Sequence, residues 1–556
     1  MAASELDRKY DAVLAAITGP GGQVVLDRDG EGRVIVANFP ATLPMLFRTF
    51  CTLYADVEAV VSGKERLTFR QLDEISERIA RALAARGVGK GDRVGIAMRN
   101  CPAWILGYMA ALKAGAVATL LNGWWQAEEL EQALAMTEPR LILADEPRAR
   151  RIGSTCATCD VETIAIDLAA EEAFAGLLGL PSDDIALPEV SADDDATILF
   201  TSGSTGQAKG AVSTHRAVTT GVYAYATALM ALRGILESEG RPPANPIKTL
   251  VVVPLFHVTG EVPVMLNSFV IGRGMVMMRR WDAGEALRLI EREKITYFVG
   301  VPTMSLELMN HPDRDNYDLS SLTDIAAGGA PRPISHVERL NSSFPGAQPA
   351  LGYGLTETNA VGCSNFWGNY SAKPASTGRA QHPFVEVAIL GEDGQHLPPN
   401  ERGEIAIRSA ANIRGYWRDP AATDAAFAEG GYVRSGDIGY LDDEGYLFIV
   451  DRKKDIIIRG GENISAAEVE AALYDCEGIA EAAVFGVADE RLGEVPIAIL
   501  HRREGSSITE EELRTFLEGR LAAFKAPARM IFSSEPLPRL GTGKIDRVQL
   551  KQQYAS

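Results

Sequence analysis

The sequence predicts an α/β protein with a large N-terminal domain of layered α/β subdomains plus a small β-rich subdomain, followed by a small, mobile α+β domain. Three observations predict this organisation. The chain has 556 residues, which is beyond the size at which a single core stops growing. Apolar β-prone runs alternate with amphipathic helical stretches over most of its length. After about residue 383 the pattern changes twice, first to short β-like pieces and then to a compact α+β unit.

The composition is that of a globular protein whose thiols stay reduced. Hydrophobic residues make up 46% of the chain, and 55 Lys+Arg against 74 Asp+Glu give a net charge of −19. A strongly acidic surface repels phosphate backbones, so we expect no nucleic-acid partner. The six cysteines follow no regular framework, which favours free thiols, and Cys156 and Cys159 form a single CxxC that lacks the second pair of a zinc site.

The chain shows no pattern typical of a targeting or membrane segment. Its first residues mix acidic with apolar side chains, unlike a signal peptide. The longest apolar stretch, residues 250–278, is interrupted by His257, Glu261 and Asn267, which favours a buried core over a membrane span. We therefore expect a cytoplasmic protein without an integral membrane segment, and the sequence leaves its oligomeric state open.

The large domain begins with a strong helix signal after residue 67. Thr68 and Gln71 form a capping box, and Gly87 ends the helix. One helical face carries the apolar residues Leu72, Ile75, Ile79, Ala82 and Leu83. Apolar β-prone runs then lie at residues 94–98, 198–200, 250–253, 295–301 and 322–327. Their alternation with helical stretches predicts α/β layers with largely buried sheets.

Two smaller units follow. Residues 383–450 contain short strand-like pieces separated by Gly-Glu, Asp-Gly and Gly-Tyr turns, which predict the β-rich subdomain. A separate α+β domain is predicted at 454–556, where Ser465 with Glu468 and Thr509 with Glu512 begin two helices. The charged, glycine-rich junction DRKKDIIIRGG at 451–461 is typical of an exposed hinge. The large domain accordingly spans 1–453.

The strongest chemical signal is the segment ATILFTSGSTGQAKG at 196–210, where a strand runs into a glycine- and hydroxyl-rich loop. Glycines let backbone amides approach phosphate oxygens, hydroxyls add donors, and Lys209 supplies positive charge. The loop is not a Walker A motif, because Gly210 follows the lysine where that motif needs Ser or Thr.

This loop resembles the phosphate-binding signature of the adenylate-forming superfamily, which includes acyl-CoA synthetases, peptide-synthetase adenylation domains and beetle luciferase. Seven further signatures of that superfamily follow in order: PLFHVTG at 254–260, AAGGAP at 326–331, GYGLTET at 352–358, STGRA at 376–380, RSGDIGY at 434–440, DRKKDIIIRGGENI at 451–464 and LPRLGTGKIDR at 537–547. The chain is therefore identified as a member of this superfamily from residue 197 to 547.

The resemblance implies a nucleotide site. It makes Glu357 the ligand of a magnesium ion that bridges the phosphates of ATP, Thr356 a hydroxyl beside the α-phosphate, and Lys544 the catalytic lysine of adenylation. Asp437 and Arg452 would hold the ribose. Gly328, Gly329 and Ala330 would form the wall on which adenine lies, with Tyr353 stacked on the base. The full set expected to bind ATP or AMP comprises Thr201, Ser202, Gly203, Ser204, Thr205, Gly206, Lys209, Gly328, Gly329, Ala330, Gly352, Tyr353, Gly354, Leu355, Asp437 and Arg452.

The resemblance also implies an acyl pocket with a gate. His257 matches the gate between acyl pocket and thiol channel, and is counted with the catalytic residues, although a lone histidine among apolar residues also suits a core position. The pocket is expected to be lined by Val258, Glu261, Val262, Val301, Gly328, Leu351 and Gly352. These residues are mostly small and apolar, and no acid occurs at 248–258, which disfavours an amino-acid substrate; Glu261 leaves that argument undecided.

For the thiol, the GGENI motif supports coenzyme A, with Gly460, Gly461, Glu462, Lys525 and Arg529 as expected contacts and Lys454 as the hinge. The chain departs from the family at Ala526 and Ala528, where FKxPK usually supplies a second basic residue. It departs again at Trp124 and Trp125, which either pack in the core or meet a partner or part of the nucleotide.

The implied activity is that of an ATP-dependent carboxylic acid:CoA ligase. The enzyme would form an acyl-adenylate and pyrophosphate, then an acyl-CoA thioester with release of AMP, using ATP, Mg²⁺ and coenzyme A. Its substrate is expected to be a fatty or other apolar acid. Three alternatives stay open: an aryl-acid CoA ligase, an acyl-AMP ligase that loads a separate carrier protein, and a nucleotide-binding regulator without turnover.

Overall fold

The computed structural model of the chain describes residues 4–156, 158–201, 208–329, 332–452, 455–459, 462–489, 491–518, 520–540 and 544–554. Its α-helices are α1 (Glu5–Thr18), α2 (Leu43–Leu53), α3 (Phe69–Ala85), α4 (Pro102–Lys113), α5 (Ala127–Thr137), α6 (Glu146–Thr155), α7 (Ala170–Ala173), α8 (Ala175–Leu178), α9 (His215–Ser238), α10 (Asn267–Ile271), α11 (Ala283–Glu293), α12 (Pro302–Asn310), α13 (Ile334–Ser343), α14 (Trp367–Ala372), α15 (Pro420–Ala426), α16 (Ala466–Tyr474), α17 (Glu510–Leu517) and α18 (Arg547–Tyr554). A π-helix spans Gly260–Leu266, and short 3₁₀ turns lie at Arg314–Asn316, Thr356–Thr358, Glu429–Gly431 and Ala523–Lys525.

The strands are β1 (Leu26–Arg28), β2 (Val34–Val36), β3 (Glu58–Ser62), β4 (Glu65–Thr68), β5 (Arg93–Ala97), β6 (Val117–Leu120), β7 (Leu141–Asp145), β8 (Val161–Ile164), β9 (Asp195–Thr201), β10 (Lys209–Thr214), β11 (Lys248–Val251), β12 (Gly274–Met277), β13 (Tyr297–Gly300), β14 (Asp324–Gly328), β15 (Gln348–Gly354), β16 (Gly362–Phe366), β17 (Gly378–Ala380), β18 (Glu386–Leu390), β19 (Gly403–Arg408), β20 (Gly415–Tyr416), β21 (Phe427–Ala428), β22 (Tyr432–Leu441), β23 (Tyr446–Arg452), β24 (Ile456–Arg459), β25 (Glu462–Ser465), β26 (Ile479–Asp489), β27 (Gly493–Arg502) and β28 (Arg529–Ser533).

Two large sheets form the layers of the N-terminal part. The first has the order β20-β10-β9-β6-β5-β7-β8, and the second runs from β18 through β15, β14, β13 and β11 to β4. Their central strands pair in parallel, as β5 with β6 and β7, or β13 with β11 and β14. Parallel strands with helices between them are buried on both faces, and the prediction of α/β layers with buried sheets is confirmed.

The predicted helix starts and strand positions agree closely with the structure. The α3 capping box is formed, because the Thr68 hydroxyl accepts from the Gln71 amide while the Gln71 side chain accepts from the Thr68 amide. Gly87 follows the helix end with φ of 81°, a conformation that glycine adopts at little cost. The apolar face of α3 is buried as expected, and the strand-like runs correspond to β5, β9, β11, β13 and β14.

The β-rich region and the smaller C-terminal domain also follow the sequence pattern. Strands β18, β19, β22 and β23 form an antiparallel extension of the second large sheet, joined to it through β17 and β16. A separate five-stranded sheet holds β24 to β28, with its own core around α16 and α17. The helix caps at Ser465 and Thr509 are both formed. The boundary at 453/454 stays a prediction, since Lys453 and Lys454 lie outside the described residues.

The long apolar stretch is core, as predicted. Residues 250–278 contain β11, the π-helix, α10 and β12, and their side chains are mostly buried. Over the residues that the structure describes, helices long and apolar enough to cross a membrane are absent.

The expectation that every cysteine is a free thiol is wrong for one pair. Cys156 and Cys159 form a disulfide at the end of α6, where the turn after the helix brings their Cα atoms to 5.5 Å, within the range that this bond requires. The other cysteines, Cys51, Cys101, Cys363 and Cys476, are free and buried.

Helix α1 is tied to three later parts of the chain. It packs along α9 and touches α14. The buried carboxylate of Asp7 accepts hydrogen bonds from the Tyr446 hydroxyl at 2.9 Å and the Asn369 amide at 3.0 Å, and lies 3.1 Å from an Arg379 guanidinium nitrogen. Ser4 caps the helix and donates to the Asn369 side-chain oxygen. These contacts fix α1 against the rest of the large domain.

Candidate active site

A cleft of about 2530 Å³ lies where the carboxyl ends of β13, β14 and β15 meet the β9–β10 hairpin and the ends of β22 and β23. Residues of the small domain, among them Lys525 and Lys544, also line it. In open α/β sheets, ligands bind outside the carboxyl ends of the strands, so this is the expected position for an active site.

One side of the cleft carries a polar group centred on Asp437. Strands β22 and β23 place Asp437 directly opposite Arg452, and the Asp437 Oδ1 is 3.1 Å from the Arg452 Nε. The other carboxylate oxygen accepts a hydrogen bond of 2.7 Å from the Tyr353 hydroxyl. Burial and the nearby Asp437 carboxylate hold the pKa of Tyr353 well above its ordinary value. Asp437 and Arg452, the two residues predicted around the ribose, are thus in contact with each other, and Tyr353 is bonded to the same carboxylate.

A second polar group is centred on Glu357 and Tyr416. The 3₁₀ turn after β15 places Glu357 in the cleft, where its Oε1 accepts a hydrogen bond of 2.7 Å from the Tyr416 hydroxyl. The Lys209 ammonium is 5.0 Å from the centre of the Tyr416 ring, a cation–π distance. Glu357 and Lys209, which belong to separate motifs, therefore approach the hydroxyl and the ring of the same tyrosine.

The structure holds the two ends of the predicted phosphate loop. Thr201 ends β9 and Lys209 begins β10, and the two residues are paired across the hairpin. Both line the cleft. The loop residues themselves, Ser202, Gly203, Ser204, Thr205 and Gly206, lie outside the described residues.

The predicted adenine wall is a shallow surface of small residues. Gly328 and Gly352 are paired at the ends of β14 and β15, and Gly329 follows with φ of 76°, where a side chain is strained. Gly354, Leu355 and Thr356 continue along the cleft. The structure does not describe Ala330.

Lys544 of the small domain stands over this wall. A Cβ placed on Gly329 would lie 3.4 Å from the Lys544 Cε and 3.6 Å from its Nζ. Burial, together with the positive charge of Arg452, lowers the pKa of Lys544 to about 8 against the opposing effect of Asp437. The ammonium is therefore held next to the predicted nucleotide site by close packing, at the meeting point of both domains.

His257 faces the same region from the other side. Burial, together with repulsion from Lys544, lowers the pKa of His257 to about 3, so its imidazole stays neutral at physiological pH. Its Nδ1 accepts from the Thr259 amide at 3.3 Å, which leaves Nε2 as the nitrogen that carries hydrogen. The ring lines the cleft, in agreement with a gate position.

From this point an apolar channel runs under α9. Alternate residues of a strand share one face, and along β14 these are Gly328, Ala326 and Asp324. Their neighbours in β15 and β13 are paired with them, as Ala350 and Val299 are with Ala326. The opposite wall is one face of α9, spaced i, i+4, i+7: Tyr225, Leu229 and Leu232. We call this space the acyl channel.

The predicted acyl-pocket residues divide into two groups. Val258, Val301, Gly328, Leu351 and Gly352 line the cleft. Glu261 and Val262 do not, because the π-helix turns both side chains away from it into the core, where they are fully buried. There the Tyr108 hydroxyl donates to the Glu261 Oε1 at 2.7 Å, and burial raises the Glu261 pKa to about 7. Glu261 and Val262, which were expected at the pocket, therefore lie in the core next to the cleft and not among its lining residues.

The structure brings only part of the predicted coenzyme A set to the cleft. Lys525 lines it but is paired with Glu468 at 2.6 Å. Glu462 and Arg529 are exposed outside the cleft, and Arg529 donates to the Tyr554 carbonyl at 3.1 Å. Gly460, Gly461 and the hinge residue Lys454 lie outside the described residues.

Several cleft residues escaped prediction from sequence. Arg332 is 5% exposed, lines the cleft 5.9 Å from the Tyr370 ring, and its guanidinium has no hydrogen-bond partner among the described residues. The His336 Nδ1 beside it is also unpartnered there. Neither residue belongs to a recognisable motif. The α9 face could have been found from its apolar spacing. Trp125 is packed against Phe200, whereas Trp124 is 44% exposed on the cleft rim.

The comparisons with known proteins agree with this geometry. Residues 47–417 match the family of AMP-binding enzymes, and residues 468–544 match the AMP-binding enzyme C-terminal domain. The chain is 32% identical over 555 residues to a long-chain-fatty-acid–CoA ligase of Bacillus subtilis (strain 168), covering 93% of this chain and 96% of that protein. It is 34% identical over 498 residues to a feruloyl-CoA synthase of Amycolatopsis sp, covering 89% and 96%.

Among solved structures, the chain resembles the O-succinylbenzoate coenzyme A synthetase of Bacillus subtilis in complex with ATP and magnesium ion. The TM-score is 0.76 at 29% identity, over 91% of this chain and 99% of that one. The chain therefore belongs to the AMP-binding enzymes, the adenylate-forming class. Within that class it is an acid–thiol ligase of the acyl-CoA synthetase type.

Proposed function

We propose that the protein is an ATP-dependent ligase that activates an apolar monocarboxylic acid as its adenylate and transfers the acyl group to coenzyme A. One observation carries this proposal above the others. Lys544 stands over Gly329 at the point where the Asp437–Arg452 group, the neutral His257 and the mouth of the acyl channel meet. A carboxylate that ends in the channel and an α-phosphate beside Gly329 would share that lysine.

In the first half-reaction, a carboxylate oxygen of the acid attacks the α-phosphorus of ATP. The new C–O–P bond forms as the bond to the bridging oxygen of pyrophosphate breaks, so no proton is transferred. Negative charge accumulates between carboxylate and phosphate, and a positioned cation stabilises it. Lys544 supplies that charge, Lys209 acts on the leaving phosphates, and Asp437 with Arg452 holds the ribose.

The residues present suit a magnesium ion. Glu357 presents a carboxylate to the cleft with Thr356 beside it, a hard-oxygen donor set that a triphosphate and water would complete. Clusters of three or more acidic, histidine or cysteine ligands are absent from the described parts of the chain, so the nucleotide must bring most of the ligands itself. Bound there, the ion would neutralise phosphate charge; Tyr416 holds the Glu357 carboxylate in place for it.

In the second half-reaction, the sulfur of coenzyme A attacks the acyl carbon, and AMP leaves with the electrons of the cleaved C–O bond. The thiol proton is released to solvent, because the His257 Nδ1 already accepts from the Thr259 amide and its Nε2 carries hydrogen. The neutral His257 ring lies between the channel and the rim. We assign His257 to the boundary between acid and thiol. The rim of this route includes Lys525 and the exposed Trp124.

The substrate class follows from the channel walls. Alanine, valine, leucine and aromatic side chains form most of its surface, which fits a fatty acid or an apolar aryl acid. An amino-acid substrate would need a carboxylate near the reacting end. Glu261, the one candidate left by sequence, is directed into the core and bonded to Tyr108. The channel walls fit both alternatives. The chain length and ring content of the acid that the enzyme activates will distinguish a fatty-acid ligase from an aryl-acid ligase.

The organisation that we propose keeps 1–453 as the nucleotide- and acid-binding domain, including the β-rich part at 383–450, and 454–556 as the domain that carries Lys544. Lys454 would be the hinge. A cytoplasmic location suits a reaction that consumes ATP and free coenzyme A.

The direct test is pyrophosphate release across fatty acids, aryl acids and amino acids, with and without coenzyme A. We expect one class of apolar acid to stimulate release, with AMP and an acyl-CoA accumulating only when coenzyme A is present. An adenylate that forms but ignores coenzyme A would instead indicate a ligase that loads a carrier protein. Release with none of the acids would indicate a regulator.

A further inference from the structure

The acyl channel has a measurable length. Gly328, Ala326 and Asp324 lie on one face of β14, so the floor from the reacting end to Asp324 spans four residue-to-residue steps, or about 13 Å. The residues along this floor are small until the last row, where Tyr297 is paired with Asp324. A chain that enters at Gly328 therefore meets little obstruction before that row.

Three aromatic residues bound the channel from the Ala326–Ala350 row to the Asp324 row. Phe366 is paired with Ala350 across β15 and β16, and opposite residues of an antiparallel pair share one face. Trp367 donates through its indole nitrogen to the Asp324 carboxylate at 2.9 Å. Tyr10 of α1 lies against Phe366, with ring centroids 5.0 Å apart, and lines the same cavity.

Tyr10 differs from the other two aromatics because it belongs to a separate, anchored element. Phe366 and Trp367 are part of the sheet and of α14, next to the channel floor. Helix α1 is instead held from outside, by Asp7 against Tyr446, Asn369 and Arg379. The match to the AMP-binding family begins only at residue 47, so α1 lies before the part of the chain that the family model covers.

We propose that α1 is a stopper for the acyl channel and that Tyr10 sets the longest acid that the enzyme accepts. The inference rests on the proposed function, because it presumes that an acid occupies the channel. The ring of Tyr10 fills the place that the next methylene groups of a longer acid would need. The Asp7 contacts keep α1 from moving aside when such an acid enters.

The test compares four proteins: wild type, Tyr10→Phe, Tyr10→Ala and Tyr10→Trp. For each, kcat/KM for acid-dependent pyrophosphate release is measured with octanoic, dodecanoic and hexadecanoic acids. Tyr10→Phe keeps the ring and is the matched control, so its profile should follow that of wild type. Tyr10→Ala should raise kcat/KM for the longest acid relative to octanoic acid by at least roughly tenfold, since added methylenes then find apolar surface.

Tyr10→Trp distinguishes a change in channel length from a general loss of folding. A larger ring should lower the longest acid accepted, so its profile should shift opposite to that of Tyr10→Ala. A variant that merely loosened the fold would lose activity with all three acids together. Unchanged relative preferences in both variants, with an active wild type, would overturn the stopper. Absence of activity with every fatty acid in wild type would overturn the proposed fatty-acid substrate instead, and with it the premise of the stopper.

Discussion

The nucleotide side of the cleft and the acyl channel are built in different ways. On the nucleotide side, polar groups are paired with one another: Asp437 with Tyr353 and Arg452, and Glu357 with Tyr416. In the channel, shape is set by small residues on one strand face and by aromatic residues from distant segments. Chemistry common to a family thus depends on fixed polar contacts, whereas substrate choice depends on which side chains fill a space.

The strongest way to break this comparison is to remove the cation that serves both sides. Lys544→Ala should raise the activation free energy of adenylation by at least about 3 kcal/mol, which is the effect of losing one well-placed stabilising group. The measurement is single-turnover pyrophosphate release. Thioester formation from a supplied acyl-adenylate is the control and should be much less affected. Equal loss in both half-reactions would contradict a role confined to adenylation.

Removing the Glu357 carboxylate, the metal ligand that we propose, tests the nucleotide side alone. Glu357→Gln keeps the shape but loses the charge, and we expect it to cost about 2 kcal/mol in kcat/KM for MgATP, as for other charged contacts. Tyr416→Phe, which deletes only the hydrogen bond to Glu357, should cost about 1 kcal/mol. A magnesium titration distinguishes the two, since only the loss of the carboxylate should raise the metal concentration required. An unchanged titration in Glu357→Gln would argue against the metal role.

Filling the channel tests the acyl side alone. Ala350→Leu places a larger side chain on the channel floor and should raise KM for the acid roughly tenfold, while KM for ATP stays the same. Ile325 lies on the opposite face of β14 from Ala326 and outside the cleft lining, so Ile325→Leu is the matched control and should leave the acid profile nearly unchanged. If both variants changed the ATP and acid constants alike, the two sides would not be separable.

The pH dependence of adenylation should report Lys544. Its pKa is lowered to about 8, so the ammonium form that stabilises the transition state is complete below that pH and is lost as pH rises through it. We expect kcat/KM for ATP to fall about tenfold per unit above pH 8. In Lys544→Arg the guanidinium stays charged, so the fall should disappear. A fall that persists in that variant would have another origin.

The smallest effect is expected at Lys525. Because this side chain is already paired with Glu468 near the surface, Lys525→Ala should change adenylation by less than about 1 kcal/mol. Any larger effect should appear only in KM for coenzyme A, which steady-state kinetics at varied coenzyme A would show. A strong loss of pyrophosphate release would mean that the rim takes part in the first half-reaction.

Sequence reasoning reached the nucleotide side because its residues are fixed by short motifs. Asp437 and Arg452 lie in different motifs, yet each could be placed, since strand pairing brings them opposite one another. The same holds for the capping boxes of α3 and α17, which depend on contacts within four residues. Contacts that depend on a short motif can therefore be predicted from the sequence.

The acyl channel could not be predicted in the same way. Glu261 follows His257 closely in sequence, but a π-helix turns it from the cleft into the core, a backbone choice that residue pattern does not indicate. Tyr10 and Phe366 are 356 positions apart and meet only through packing of α1 on α9 and α14. Arg332 belongs to no motif. The positions of these side chains depend on tertiary packing, which the sequence pattern does not reveal.

The helices nearest the two ends of the sequence both contribute to the cleft. Tyr10 reaches it from α1, and Val548, Gln549 and Gln552 reach it from α18. A purification tag or fusion partner joined to either helix would therefore lie near the cleft. The exposed turn between β3 and β4, around Gly63 and Lys64, lies away from the cleft lining and is the better attachment point for a reporter.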